Sequence, residues 1–508
     1  MVFRRARQRR RGAGGPGVTG FIKTGNAVPV ATAAIPVADT GSFRREILSA
    51  IAEGWRLLLL VGLSQDAGGT RLLAALADDG HGEIGLLATD VAGGYPALTP
   101  DCPAAHYFER EIHEQWRVHP EGHPWLKPVR FPPGGAAVGE VDFFKVSGAE
   151  IHEVAVGPVH AGTIEPGHFR FNCHGETVLH LEISLGYQHR GVEEALRGGP
   201  DKRSIHLAET IAGDTSAGHA TAYCQLVEAL SATACSPRAL ALRALALELE
   251  RIANHIGDLG ALAGDVGFLP AAAYCGRLRG DSLNLTALLC GSRLGRGWVR
   301  PGGVAHEPGA EILRELRQRL REAERDMRNA VELLWKSSSV RGRFENTGIL
   351  SRQAAADLGI VGPPARASGI DRDCRRDFAA PAYRDRQPVI AVGESGDVFA
   401  RAFQRWREIE NSFAFLARVL DQPGAGEPMT SVGPLSPNRL ALSLVEGWRG
   451  EIVHLGMTDA AGRFAQYKIL DPSFRNWFGL AMAMRDQAIS DFPMCNKSFN
   501  LSYCGHDL

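Results

Sequence analysis

The pattern of apolar and polar residues differs between the N-terminal part of the chain and the rest. In the N-terminal part the apolar runs are short. The runs "RLLLLVGL" (56–63) and "EIGLLATDV" (83–91) have the length of buried strands, and "SFRREILSAIAEG" (42–54) has helical spacing. This mixture of short strands and helices predicts a small α/β domain over residues 41–131. The Pro- and Gly-rich residues 132–149 that follow predict a linker.

From residue 150 onward the apolar residues follow a helical pattern over much longer segments. Leu, Ile and Ala recur there at three- and four-residue spacing in three long stretches. Two β-hairpins are also predicted, one near the start of this part and one at "GEIVHLGMTDAAGRFAQYKI" (450–469). The predicted fold class is therefore α+β, with the small α/β domain followed by a mainly α, long-helix-bundle domain (150–508) that carries peripheral β-hairpins.

Composition and charge narrow the class of protein. The chain has 508 residues and a formal net charge of -1, which suits two or three domains and gives no electrostatic case for a nucleic-acid partner. Residues 1–40 begin with "MVFRRARQRRRGAGGPG" and are predicted to form a disordered Arg/Gly-rich tail. Apolar runs fall short of the ~18 residues of a membrane helix, so we expect membrane contact only through partner subunits.

The cysteines and glycines exclude several kinds of cofactor site. The nine cysteines are scattered and form no C-x-x-C pair, which excludes a self-contained zinc ribbon or ferredoxin-type cluster. No G-x-G-x-x-G segment follows a strand in the expected context. We therefore expect any NAD chemistry to belong to other subunits.

A series of ordered motifs carries a family resemblance. "FEREIHEQWRVHPEGHPWLKPVR" (108–130) resembles the signature of the C-type subunits of NADH-quinone oxidoreductase. The later motifs resemble the D-type subunits of complex I, which share the NiFe hydrogenase large-subunit fold: "GPVH" (157–160), "EPGHFRF" (165–171), "QHRGVEE" (188–194), "ELERIANHIGDLG" (248–260) and "ARASGIDRDCR" (365–375). The fused C-like domain, "EPGHFRF" and the final "NKSFNLSYCGHDL" favour the branch of hydrogenase-4 and formate hydrogenlyase large subunits.

The resemblance implies where a nickel–iron centre would be held. In the hydrogenases of this superfamily, four thiolates in two C-x-x-C pairs bind the metals, and such soft ligands suit them. The family pattern places those ligands here at Ala212, Thr215, Ser502 and Gly505, and a serine assigned to position 202 is excluded from the set. None of the four residues carries a thiol, so the resemblance implies a hydrogenase-shaped chain without this metal centre.

In the D-type family the vacated cavity forms part of a quinone headgroup site, beside an iron–sulfur cluster held by a neighbouring subunit. The resemblance places the catalytic candidates at His160 in the first hairpin loop and at His219 and Tyr223 on the following helix. A phenol and an imidazole can each donate a hydrogen bond and a proton to a carbonyl that is being reduced. The family's second loop histidine falls near Glu165, with His168 as an alternative donor.

The resemblance also implies an assembly. The expected partners are an iron–sulfur small subunit of the complex I B type, antiporter-like membrane subunits and quinone as the substrate. The chain would lie peripherally on the cytoplasmic face of the inner membrane. Two alternatives remain open, namely a structural subunit with a sealed cavity and a true NiFe hydrogenase, which would contain stoichiometric nickel.

Three further groups of residues follow from the resemblance. Glu193, in the Arg-Gly-x-Glu motif, is a possible magnesium ligand together with His506, and the alternative is an ion pair between Glu193 and an arginine. Asp491 and Asp507 are candidates either for a proton route or for solvated helix ends. A buried arginine–aspartate network is predicted to contain Arg341, Arg366, Asp373 and Arg375.

Overall fold

The computed structural model describes residues 4–5 and 20–508, with the exception of 66, 67, 162, 163, 380 and 385. The strands are β1 Arg4–Arg5, β2 Ile22–Thr24, β3 Val30–Ala31, β4 Val37–Ala38, β5 Arg56–Ser64, β6 Thr70–Asp78, β7 Glu83–Val91, β8 Gly94–Pro96, β9 His119–Glu121, β10 Ile151–Val156, β11 His168–His174, β12 Thr177–Ser184, β13 Val299–Arg300, β14 Gly303–Val304, β15 Ala391–Val392, β16 Arg439–Gly447, β17 Gly450–Thr458 and β18 Phe464–Leu470.

The helices complete the mixed architecture and confirm the predicted α+β class. They are α1 Thr40–Ala52, α2 His106–Trp116, α3 Val192–Leu196, α4 Ser204–Glu209, α5 Ser216–Leu230, α6 Pro237–Asp265, α7 Leu269–Cys290, α8 Ala310–Lys336, α9 Ser338–Phe344, α10 Arg352–Asp357, α11 Gly362–Ala367, α12 Cys374–Asp377, α13 Pro381–Arg384, α14 Val398–Asp421, α15 Pro472–Ala483, α16 Phe492–Phe499 and α17 Tyr503–Asp507.

The main sheet of the N-terminal unit has five strands. Its strands lie in the order β2-β7-β6-β5, and β4 pairs in parallel with β7. Helix α1 packs on this sheet and begins where the Asp39 carboxylate accepts a hydrogen bond from the Ser42 backbone N–H at 2.9 Å. Such a cap satisfies one of the free N–H groups of the first helical turn.

Part of the predicted N-terminal tail is structured instead. Strand β2 pairs antiparallel with β7, and β3 pairs with β16, so the prediction of disorder is wrong for residues 20–40. The remainder of the predicted tail, residues 1–3 and 6–19, lies outside the described residues. The prediction extended too far because the Arg-rich start dominated the composition, whereas the strands that follow are only two or three residues long.

The large unit combines long helices with a three-stranded sheet and a four-stranded sheet, besides shorter strand pairs. Helix α6 packs against α7 and α14, and α7 packs against α8. Helix α6 begins with Ser236 as the N-cap and Pro237 in the first turn, a combination that suits a helix start. One sheet has the order β10-β11-β12, and the other has the order β18-β17-β16-β3.

The second of these sheets joins the two units. Alternate residues of β16 belong to different cores, because Ala441 and Val445 pack in the core of the large unit while Leu442 and Leu444 pack in that of the N-terminal unit. Helix α5 lies against this sheet. The hairpin predicted at 450–469 therefore forms, as β17 and β18, but it lies between the two cores and not at the periphery.

Candidate functional site

The residues at the four vacated ligand positions come from both ends of the large unit. Ala212 and Thr215 lie in the turn before α5, and Ser502 and Gly505 lie at the start of α17. All four are buried. The Ser502 hydroxyl accepts a hydrogen bond from the Gly505 backbone N–H at 2.9 Å and so caps α17. The four positions thus lie at the starts of two helices, α5 and α17.

Position 202 lies apart from these four residues. The assignment of a serine to this position was wrong, because the residue there is Lys202. Lys202 is exposed in the turn between α3 and α4. It therefore contributes nothing to the buried vacated ligand positions.

Arg449 connects the two ends of the large unit. Its guanidinium forms a bidentate ion pair with Asp214, at 2.6 and 2.8 Å, and donates to the Asn500 carbonyl at 2.6 Å. The same guanidinium donates to the Thr215 hydroxyl at 3.2 Å, and the Trp448 indole N–H donates to this hydroxyl at 3.1 Å. The side chain at one vacated ligand position is therefore held in a hydrogen-bonded cluster.

Asp471 fills the space beside another vacated position. A Cβ atom added at Gly505 would lie 2.7 to 3.0 Å from the three carboxyl atoms of Asp471, closer than Cβ contacts normally come. The carboxylate also caps α15 by accepting from the Ser473 backbone N–H at 2.8 Å. A cysteine at position 505 would require Asp471 to move.

The residues present do not fit a nickel–iron centre. None of the four positions offers a thiolate, and neutral alanine and glycine cannot bind metal. Burial raises the pKa of the nearby Cys504 thiol, which lies 3.3 Å from the Ser502 hydroxyl. Within the described residues, no group of three or more His, Cys, Asp and Glu side chains could hold a metal ion.

A chain of buried titratable side chains runs from Asp471 towards β18. The Asp471 carboxylate lies 3.0 Å from His219 Nε2, and His219 Nδ1 lies 3.1 Å from His454 Nε2. His454 Nδ1 lies 2.8 Å from the Tyr467 hydroxyl. Burial raises the pKa of Asp471, but the hydrogen bond from His219 and the charge of Arg449 lower it below its ordinary value.

The structure places two of the three catalytic candidates on one helix. His219 and Tyr223 lie one turn apart on α5 and are 0% and 1% exposed. Burial raises the pKa of the Tyr223 phenol. His160 lies in the loop between β10 and β11 and is exposed. His168, the alternative donor, is on β11, where its ring lies tilted against that of Phe143 and Nδ1 lies 3.2 Å from the Gly157 carbonyl.

Glu165, on the same loop, reaches the region around the four vacated ligand positions, which is called the vacated region below. The sequence did not indicate it as a site residue. Burial raises the pKa of its carboxyl group, Asp214 adds to this effect, and Arg449 and hydrogen bonds from Cys504 oppose it. The only sequence signal was its position, because the family's second loop histidine falls beside it. Glu165 and Asp214 are partly exposed, so they form an outer edge of the vacated region.

The candidate magnesium ligand Glu193 has a lysine side chain beside it. The Lys468 ammonium lies 3.0 Å from the Glu193 carboxylate, so the predicted ion pair is formed with lysine and not with arginine. His506 Nδ1 lies 2.9 Å from Asp507, and its ring packs against Phe474. Lys468 thus already places a positive charge beside Glu193.

Three of the four residues in the predicted buried network belong to one cluster. Arg366 lies 3.2 Å from Asp373, and Asp373 lies 2.7 Å from Arg375. Arg341 does not belong there, because it is exposed and pairs with Glu345 one helical turn away. The prediction was wrong for Arg341 because neighbouring sequence gives no information on burial.

The two remaining acidic candidates differ from each other. Asp491 lies 3.1 Å from Arg343 near the surface. Asp507 is buried, and its carboxylate accepts hydrogen bonds from the backbone N–H groups of Gly186 and Gln188 at 2.8 and 2.9 Å. Asp507 therefore fastens the end of α17 to the loop after β12.

Comparison with known proteins shows what this chain is similar to. Residues 265–434 match the family model described as "Respiratory-chain NADH dehydrogenase, 49 Kd subunit". The chain is 28% identical over 433 residues to formate hydrogenlyase subunit 5 of Escherichia coli K12, covering 80% of this chain and 76% of that protein. It is 27% identical over 369 residues to NADH-quinone oxidoreductase subunit 4 of Thermus thermophilus, covering 67% and 90%.

These matches confirm the resemblance to the branch shared by hydrogenase-4-like hydrogenases and the 49-kDa subunit of complex I. One chain in the solved structure of an archaeal membrane-bound sulfane sulfur reductase has a similar fold, with a TM-score of 0.67 at 22% identity, and the match covers 71% of this chain and 99% of that chain. In the part of the chain that the structure describes, no helix combines the length and apolar character of a bilayer-spanning segment.

Proposed function

We propose that this chain is the large subunit of a membrane-associated electron-transfer complex, contains no nickel–iron centre, and helps to form a quinone-reducing site. The observation that carries the proposal is the Asp471 carboxylate, which occupies the space of a side chain at Gly505. The protein supplies an aspartate–histidine pair at the position of a metal thiolate. Such a pair suits proton transfer, whereas a nickel–iron centre requires soft ligands.

The acceptor would bind at the outer edge of the vacated region. The Asp214 side chain is 34% exposed there, while its partner Arg449 is only 4% exposed. Glu165 and the loop that carries His160 border the same edge. Reduction of a quinone to a quinol consumes two electrons and two protons, and carboxyl and imidazole groups can supply the protons.

The rest of the assembly follows from the class of relatives. The electrons would come from an iron–sulfur cluster in a small partner subunit, and antiporter-like membrane subunits would couple the reaction to ion movement. This arrangement places the chain peripherally on the cytoplasmic face of the inner membrane. Its own residues would bind and orient the quinone and would deliver protons to it.

The test is to purify the chain with its small-subunit partner. We expect less than stoichiometric nickel by elemental analysis and quinone reduction that a quinone-site inhibitor blocks. His160→Ala and Tyr223→Phe should each lower this rate, with His152→Ala as the control for an exposed histidine on the neighbouring strand. Stoichiometric nickel would overturn the metal-free assignment, and unchanged rates in both variants would overturn the site assignment.

Burial favours one second candidate, a structural subunit whose cavity is closed. His219 and Tyr223 are almost completely buried, and the side chain of Thr215 is engaged in hydrogen bonds. A structural subunit predicts a complex that assembles normally but shows no inhibitor-sensitive quinone reduction. Inhibitor-sensitive reduction by the wild-type complex would exclude this candidate.

A further inference from the structure

A cavity of about 660 Å³ lies where the N-terminal unit meets the large unit. Leu63 and Trp116 line it on one side, and residues 132–135 of the predicted linker line it on another. The large unit contributes Tyr467 and Lys468 of β18. The cavity is open to solvent and lies apart from the outer edge formed by Glu165 and Asp214, neither of which lines it.

Tyr467 connects this cavity to the vacated ligand region. It is one of the lining residues, and its hydroxyl forms the 2.8 Å hydrogen bond with His454 Nδ1. From His454 the hydrogen bonds continue through His219 to Asp471, with heavy-atom distances of 3.1 and 3.0 Å. All four nitrogens of the His219 and His454 rings therefore have a hydrogen-bond partner in this series of side chains.

The end group sets the direction of these hydrogen bonds. An ionised Asp471 carboxylate can only accept, so His219 Nε2 must carry a proton and donate it. A neutral His219 then accepts at Nδ1 from His454 Nε2–H, which leaves His454 Nδ1 to accept from the Tyr467 hydroxyl. All three protons point from the cavity towards Asp471.

We propose that Tyr467, His454 and His219 form a proton path that leads from the cavity between the two units to Asp471, beside the vacated ligand position Gly505. This inference rests on the proposed function, because a quinone reduced there by electrons from the partner's iron–sulfur cluster must also receive two protons. The path adds a second entrance for protons, which begins at the solvent-open cavity.

Each transfer balances in protons and moves no electrons along the path. The Asp471 carboxylate takes the Nε2 proton of His219 and returns to its ionised state by giving a proton to the reduced quinone, and His454 passes its Nε2 proton to His219 Nδ1. Tyr467 gives its hydroxyl proton to His454 Nδ1 and takes one from water in the cavity. A second proton follows after both imidazoles return to their starting tautomers.

The surroundings keep His454 and Tyr467 neutral at rest. Burial lowers the pKa of His454 well below its ordinary value, and the nearby Asp471 opposes this effect only in part. Burial raises the pKa of Tyr467, and Tyr223, Cys224 and Glu193 raise it further. The His454 ring therefore accepts a proton without holding it, and Tyr467 keeps its own until one is passed on.

The tautomers can be measured without turnover. In the full chain with isotope-labelled histidine, nitrogen NMR at about pH 7 should show His219 and His454 neutral, with the proton on Nε2. Single His219→Gln and His454→Gln variants assign the two signals. A proton on Nδ1 of either ring, or a charged His454, would overturn the path, because the hydrogen bonds would then no longer run in one direction.

Activity measurements distinguish a failure of the proton path from a failure of the proposed quinone reduction. In the purified complex, Tyr467→Phe should lower quinone reduction about 10²-fold while reduction of ferricyanide, which takes an electron and no proton, stays unchanged. Tyr383→Phe is the matched control, since it removes an equally buried hydroxyl that bonds to Glu248 at 2.9 Å outside the path.

Each outcome decides one of the two claims. An unchanged quinone rate in Tyr467→Phe, with an active wild-type complex, would overturn the path and leave the proposed function intact. A wild-type complex that reduces ferricyanide but no quinone would overturn the proposed function, and the tautomer measurement would still decide whether the directed chain exists.

Discussion

Two glutamates of helix α6 show how differently this molecule treats buried charge. Glu248 and Glu250 are two residues apart, so their side chains leave the helix on nearly opposite faces. Glu248 lies in the arginine network, 3.2 Å from both Arg251 and Arg375. Glu250 faces the vacated region and accepts hydrogen bonds from the backbone N–H groups at the start of α5.

The pKa values follow these environments. Burial raises the pKa of Glu248, but Arg251 and Arg375 outweigh it and the net shift is downward. Burial raises the pKa of Glu250 to about 8, and the backbone hydrogen bonds offset it only in part. Glu248 therefore stays ionised beside its arginines, whereas Glu250 in the vacated region exchanges its proton near neutral pH.

Removal of one arginine from the network should have the largest effect. Arg366 forms ion pairs at 2.8 Å with both Glu408 and Glu446 and is 1% exposed. Arg366→Met leaves these carboxylates buried without it, and we expect a loss of about 3–5 kcal/mol in the free energy of unfolding. Denaturant titration measures it, and Arg366→Lys should lose less. A loss below about 1 kcal/mol would contradict a network of fixed charges.

A cysteine introduced at position 505 tests the vacated region. Gly505→Cys must displace the Asp471 carboxylate, so we expect it to cost about 1–3 kcal/mol, as overpacking does. Gly276→Cys is the control, since a Cβ atom there meets nothing within 4 Å. Equal unfolding free energies for the two variants would show that the space at position 505 is open, contrary to the proposed replacement of the ligand.

Glu250 should make the stability of the protein depend on pH. Its folded pKa of about 8 lies above the ordinary value of 4.5, so the folded state binds the extra proton between these values. Stability should therefore fall as pH rises through this window, by less than the limit of about 1.4 kcal/mol per pH unit because the side chain keeps some solvent contact.

The control for this slope is Glu250→Gln, measured by denaturation at several pH values. The lost hydrogen bond shifts the variant by a constant amount, so only the difference in slope between the two proteins reports the titration. Identical slopes would mean that Glu250 is already ionised in the folded protein, and the contrast with Glu248 would disappear.

The sequence predicts the fold branch well because ordered motifs survive along the chain, and His219 and Tyr223 were correctly placed together on one helix. It could not predict what fills the vacated region. Asp471 lies 252 positions from His219 along the chain, and only the tertiary fold brings them within hydrogen-bonding distance. Arg449 reaches Asp214 across a similar separation. No local pattern records such contacts.

Arg341 tests how far the local sequence can predict burial, and it has the smallest expected effect. Sequence reasoning grouped it with Arg366, yet its side chain is 53% exposed and pairs with Glu345 at 2.6 Å. Solvent screens such a pair, so Arg341→Ala should change the free energy of unfolding by no more than about 0.5 kcal/mol, measured beside Arg366→Met in the same denaturant titration. A loss as large as that of Arg366→Met would mean that Arg341 is buried in the assembled network after all. The two losses in unfolding free energy therefore compare an exposed arginine with a buried one. Their ratio measures how strongly burial determines the contribution of an arginine to stability.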